Sequence, residues 1–204
     1  MKRNIAAVTV LALTVTFCTA ALAQIPSFNR GGSSALTSAD LLESFVVSNN
    51  HNLEAQLHFA TAFDLKDQIE LLKAEQIAIS SGQVDEDAQT KRTLLTDQAQ
   101  DQIALRAAAQ PELSAEGRES YQKGLVSYFM AIATAREVVA SADNVETPSL
   151  RNPLAAAKAA KSSAYVLREA PSYLKKLQSG AAMLLTYAKN NNIEVPENAT
   201  SLLP

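Results

Sequence analysis

From Leu41 to Ala188 the apolar residues of this chain recur at three- and four-residue spacing, and alternating apolar and polar runs bounded by turn residues do not occur beyond the first 23 positions. A helical period is satisfied when helices lay their apolar stripes against one another. The pattern therefore specifies an all-α fold, an antiparallel helical bundle of five or six helices joined by short loops.

Local signals set the expected boundaries. Thr37 or Ser38 stands before Ala39-Asp40-Leu41-Leu42, where a hydroxyl can cap free amides and Asp40 can reach back as in a capping box. A short helix is expected there, with a break or an exposed bend at Ser48-Asn49-Asn50. A long helix is then expected from about Asn50 to Ile79, carrying Leu53, Leu57, Ala60, Leu65, Ile69 and Leu72 and ending at Ser81-Gly82. Residues 84–109 form a third segment with Asp85, Glu86 and Asp87 at its start, where they oppose the helix dipole favourably. Its apolar face is thin, built from Leu94, Leu95, Gln98, Ala99, Gln102 and Leu105, which suggests burial along one edge or pairing with something outside the chain. Pro111, Ser114 and Gly117 precede a strongly amphipathic helix over 118–142, and Pro171 is expected to divide the last section into helices over 153–168 and 172–190.

At the N-terminus, Met1-Lys2-Arg3, the apolar run Ile5 to Phe17 and Ala21-Leu22-Ala23 before Gln24 read as an export signal with its cleavage site. The expected organisation is a cleaved signal peptide over 1–23, a flexible leader over 24–36 containing Pro26, Gly31 and Gly32, a helical bundle domain over 37–192, and an irregular tail over 193–204. The expected location is periplasmic or secreted. Cys18, the single cysteine, lies inside the apolar run and would be discarded, with Phe17 where a lipidation signal has a small residue. A chain starting at Gln24 has 181 residues and no thiol for a disulfide, a nucleophile or a metal. It holds 16 basic against 21 acidic residues, a balance that disfavours nucleic acid and anionic membrane as partners. No transmembrane segment is expected after cleavage.

Chemistry-bearing patterns are few. His51, Glu54 and His58 sit three and four residues apart, so on one helix they share a face, and Glu54 with one imidazole could begin a zinc-type site completed from another helix. Neither the His-Glu-x-x-His nor the Glu-x-x-His arrangement is present, and the plainer reading is polar surface histidines. Asp64, Asp67, Glu70 and Glu75, interspersed with Lys66 and Lys73, read as a solvated helix face. Lys158, Lys161, Arg168, Lys175 and Lys176 gather in the last third and read as a charged outer face, with an acidic partner or lipid headgroups as the alternative. Tyr121, Tyr128, Phe129, Tyr165, Tyr173 and Tyr187 either close a core or line an apolar ligand cavity, and with Leu94, Leu95 and Leu105 they form the candidate apolar ligand or partner surface. No nucleophile elbow, glycine-rich phosphate loop or cofactor motif occurs, so no cofactor is implied. The leading expectation is an exported, non-enzymatic helical accessory or protein-interaction factor with a protein partner. The alternatives are a periplasmic carrier of a lipid or small hydrophobic ligand and a metal-binding protein using His51, Glu54 and His58.

Overall fold

A computed structural model describes residues 37–80, 86–142 and 153–203. The expected signal peptide and leader lie outside the described residues. Five α-helices follow one another: α1 (Ser38–Ala62), α2 (Lys66–Ser80), α3 (Glu86–Ala108), α4 (Ala115–Ser141) and α5 (Pro153–Asn190), with a 3-10 turn at Ala199–Leu202. Cross-helix bonds give their directions. Ser48 Oγ donates to the Ala131 carbonyl and Ser120 Oγ to the His58 carbonyl, so α1 and α4 are antiparallel. Tyr121 and Tyr128 reach the Leu184 and Leu177 carbonyls, so α4 and α5 are antiparallel too.

α1 starts where the capping signal places it. Thr37 Oγ1 accepts from the Asp40 amide at 3.2 Å, and Asp40 Oδ2 accepts from the Thr37 amide at 3.0 Å. The expected break at Ser48-Asn49-Asn50 is absent, because these residues serve the interior of a continuous helix. Ser48 and Asn49 are buried; Ser48 bonds to α4, and Asn49 Nδ2 donates to the Phe45 carbonyl. The chain turns instead at Phe63–Leu65. The stripe of Leu53, Leu57 and Ala60 resumes five residues on at Leu65, a step that rotates it by about 140° and prevents one straight helix from burying both halves on one side. Asp64 takes the left-handed conformation (φ 54°), the Leu65 amide donates to the Ala60 carbonyl and the Asp64 amide to the Thr61 carbonyl. This is the Schellman closure, reached without a glycine.

α5 also departs from expectation by running unbroken through Pro171. Proline removes the bond to the Leu167 carbonyl, but Pro171 and Leu167 are both exposed, so water can serve the freed group. Val166, Ala170, Tyr173 and Leu177 keep the inward stripe continuous across it. α4 begins on the Ser114 cap, whose Oγ accepts from the Gly117 amide at 3.0 Å. α5 ends in a second Schellman closure with Asn192 at φ 53°. The expected irregular tail is a docked segment: Ile193 and Ala199 are buried, and Arg136 and Gln178 donate to the Ser201 and Leu202 carbonyls.

The main core lies between α1, α4 and α5, with Ile103 and Ala107 of α3 entering at its edge. Within it the Phe59 ring lies close over Gly124, where a Cβ would stand 2.7 Å from the ring edge. A smaller cluster of Leu53, Ala60, Leu72 and Ala99 joins α1 to α2 and α3. Gly124→Ala gains about 1 kcal/mol of helix propensity and meets an overpacking cost of about 1–3 kcal/mol. The expected outcome is a net loss of stability, read as a lower urea midpoint at unchanged slope.

Candidate functional site

The aromatic residues expected to border a ligand cavity fill the core against one another. Phe59 packs on Tyr121 (4.8 Å between centroids) and Tyr128 (6.1 Å), Tyr121 on Tyr187 (5.0 Å), and Phe45 on Tyr165 and Tyr173 (6.1 and 5.5 Å). Tyr128 also touches Phe129 edge-on at 6.4 Å. All five tyrosines are buried, and each phenol reaches another part of the chain. Tyr121 donates to the Leu184 carbonyl (2.9 Å), Tyr128 to Leu177 (2.9 Å), Tyr173 to Ser48 (3.2 Å) and Tyr187 to Pro111 (2.5 Å), while the Tyr165 hydroxyl lies 3.5 Å from Thr90 Oγ1. Burial pushes the phenols of Tyr121, Tyr128, Tyr173 and Tyr187 above the ordinary tyrosine range. They are structural cross-ties that stay protonated, and Tyr121, Tyr128 and Phe129 border none of the surface grooves described below.

Residues of the α1–α2–α3 layer are unusually polar. Glu75, expected on a solvated face, is buried and bound to Arg92 Nε at 3.0 Å, with the Arg92 side chain wholly enclosed. Glu75 is buried because α3 covers α2 on that side, and an acid there needs a cation beside it. Gln56 and Gln89 are buried as well, and Gln56 Oε1 and both amide atoms of Gln89 have no hydrogen-bond partner among the described residues. The sequence signal for this pair was one acidic and one basic residue in adjacent helices, which nothing distinguishes from surface charge until α3 is docked.

α3 turns a different face inward from the one expected. Gln89, Arg92, Thr96, Ala99, Ile103 and Ala107 are buried, whereas Leu94 and Leu105 are 59% and 67% exposed. Leu95 is half-buried against the smaller cluster. Beside the exposed leucines, α3 and α5 run parallel and leave grooves between them. One, of about 280 Å³, brings Leu94 together with Phe45, Tyr165 and Tyr173. A neighbouring opening of about 450 Å³ shares Asp97, Ser172 and Lys176 with it and adds Asp101 and Lys175. Gly180 faces Gln100 and the Tyr128 hydroxyl, so the helices close on each other there. A third opening of about 330 Å³ lies beyond, bordered by Ala107, Met183 and Tyr187. The flanking charges are mixed: Lys176 Nζ meets Asp97 at 2.5 Å, Arg168 meets Glu169 at 2.7 Å, and the Arg168 guanidinium also lies 5.8 Å from the Tyr165 ring centre.

His51, Glu54 and His58 do share one side of α1, with His51 Nδ1 3.8 Å from Glu54 Oε2. Among the described residues no three of His, Cys, Asp and Glu gather closely enough to hold a metal ion, so the third ligand that the pair would need from another helix is not supplied there. His58 is half-buried against α4. Desolvation holds its imidazole below the usual 6.5, with Glu54 opposing that effect and Lys123 adding to it. The folded state thus prefers neutral His58. As pH falls below about 6.5 the unfolded chain takes up the proton first, and stability is lost. His58→Gln is expected to flatten the decline in melting temperature between pH 7 and pH 5, measured against the wild-type chain across the same buffers. No family model, curated protein or solved structure matches this chain.

Proposed function

We propose that this chain is an exported, non-enzymatic helical accessory protein that binds another protein along the outer face of α3 and the adjoining α3–α5 groove. The observation that carries the reading is the pair Leu94 and Leu105. They are eleven residues apart, which is about 20° around the helix and about 16 Å along it, so both leucines stand on one solvent-facing line. Asp101 is exposed between them, and the groove beside Leu94 adds part of Tyr165 and Tyr173. Apolar side chains on a polar, mixed-charge rim make a surface suited to a protein partner.

The interior supports the same reading. Rings that touch one another, with four of the five tyrosine hydroxyls held by backbone carbonyls, give a packed scaffold behind that face. Export rests on the residues before Gln24, and the location proposed is the periplasm or the extracellular space.

A photo-crosslinking residue placed at Leu94 or Leu105 in the native host is expected to give one discrete protein adduct, while the same probe at exposed Glu137 on α4 gives none. Absence of an adduct at both leucines, or the same adducts from Glu137, would remove the binding face. N-terminal sequencing of the chain recovered from the envelope should begin at Gln24, and an intact Met1 or Lys2 start would remove the export reading.

A further inference from the structure

We propose that residues 193–203 form an exchangeable strap, and that two copies of this chain pair by each laying its strap in the α4–α5 groove of the other. The residues involved are separate from Leu94, Leu105 and the α3–α5 groove, so the inference stands independently of the partner-binding reading.

The segment is built as a ligand of the groove it lies in. Ile193, Pro196 and Ala199 are buried and Leu202 packs on the main core, so one residue in three turns inward, while Glu194, Glu197, Asn198, Thr200 and Ser201 are exposed. A period of three belongs to a 3-10 turn, as at Ala199–Leu202, and to an extended polyproline-type chain. Val195 and Leu203 add partial cover beside that edge.

The groove meets the segment with side chains that donate mainly to its backbone. Arg118 Nη1 reaches the Asn191 carbonyl (2.7 Å), Arg136 Nη1 the Ser201 carbonyl (3.0 Å) and Gln178 Nε2 the Leu202 carbonyl (3.3 Å), while Gln122 Nε2 holds the Glu194 carboxylate (3.1 Å). Arg118 and Arg136 are eighteen residues apart, which is about five whole turns of α4, so they stand on one line about 27 Å long. The ten steps from Asn191 to Ser201 cover that length at about 2.7 Å each, between the rise of a 3-10 turn and that of a polyproline-type chain. These bonds join the segment to α4 and α5, and the same segment arriving from a second copy would make the same set.

The hinge favours the exchange. The strap leaves α5 through Asn191 and Asn192, where the chain doubles back on a left-handed Asn192 (φ 53°) and the Ile193 amide returns to the Ala188 carbonyl at 2.8 Å. Residues other than glycine hold that conformation at a cost, and a hinge that straightens sheds it. A short strained hinge followed by a segment with its own docking groove is the arrangement in which identical chains swap elements, and reciprocal exchange closes a two-fold dimer with both grooves filled.

The test uses two forms of the full chain, both carrying Cys18→Ser and Asn192→Pro. One has Ser201→Cys on the strap, and the other, isotopically labelled, has Arg136→Cys in the groove. Proline cannot take a positive φ, so the closed hinge is denied to both. Mixed at high concentration and treated with a short bismaleimide, they are expected to give a mixed-mass adduct joining positions 201 and 136, whereas Glu43→Cys, exposed on α1, gives none in place of Arg136→Cys. Sedimentation equilibrium reads the strength of pairing: Asn192→Gly holds the closed hinge without strain and should lower the association constant roughly tenfold, and Asn192→Pro should raise it at least as far. An Asn192→Pro chain that stays monomeric, a dimer without the 201–136 adduct, or an equal adduct from Glu43→Cys would overturn the proposal. Should Asn192→Pro fail to fold by circular dichroism, equal association constants for the wild-type chain and Asn192→Gly would overturn it alone.

Discussion

The seat of the Phe59 ring on Gly124 is the contact from which the rest of the bundle is built. Without a Cβ at position 124, α1 and α4 come close enough for Phe59 to lie between Tyr121 and Tyr128. Those two rings then aim their hydroxyls at the Leu184 and Leu177 carbonyls, which fixes α5 across α4. Tyr173 returns from α5 to the Ser48 carbonyl on α1 and closes the triangle. Each phenol uses the second lone pair of a carbonyl, so a helix is tied sideways at a net gain of about 1 kcal/mol per bond. Loss of either partner would leave a buried polar atom exposed to apolar surroundings, which makes the arrangement specific as well as stable.

Helix content and inward faces were legible wherever apolar periodicity was strong. The α4 stripe from Tyr121 to Val139, the Thr37–Asp40 cap and the Ser114 cap all stand where the residues predict them. What failed did so because buried polar groups imitate exposed ones. Ser48, Asn49 and Asn50 look like a surface bend in one dimension, yet in three Ser48 reaches α4 and Asn49 bonds to its own helix turn. Pro171 looks like a stop, but the lost bond falls on the solvent side and tertiary packing carries α5 through it. On α3 the leucines suggested an inward stripe, while the true inward face holds Gln89, Arg92 and Thr96, whose burial depends on partners from other helices.

The candidate site shows the same division. Leu94 and Leu105 stand out in the sequence as part of a thin apolar stripe, and in the structure both are exposed. The groove beside Leu94 was not legible there, since it arises from α3 and α5 running parallel and closing on each other near Gly180. The two histidines lie on one side of α1, and the described surroundings offer no third ligand, the neighbouring α4 presenting Ser120 and Lys123 there. The three-helix aromatic core, the polar second layer and the outward leucine line are the features on which the proposed partner-binding role rests.

Native mass spectrometry of the protein purified gently from its native host tests the proposed function most directly, because one spectrum reports processing, bound mass and associated chains. The expected species is the processed chain in complex with a second protein and free of small-molecule or metal mass. A chain that is alone and carries the mass of a lipid or a metal ion would contradict it.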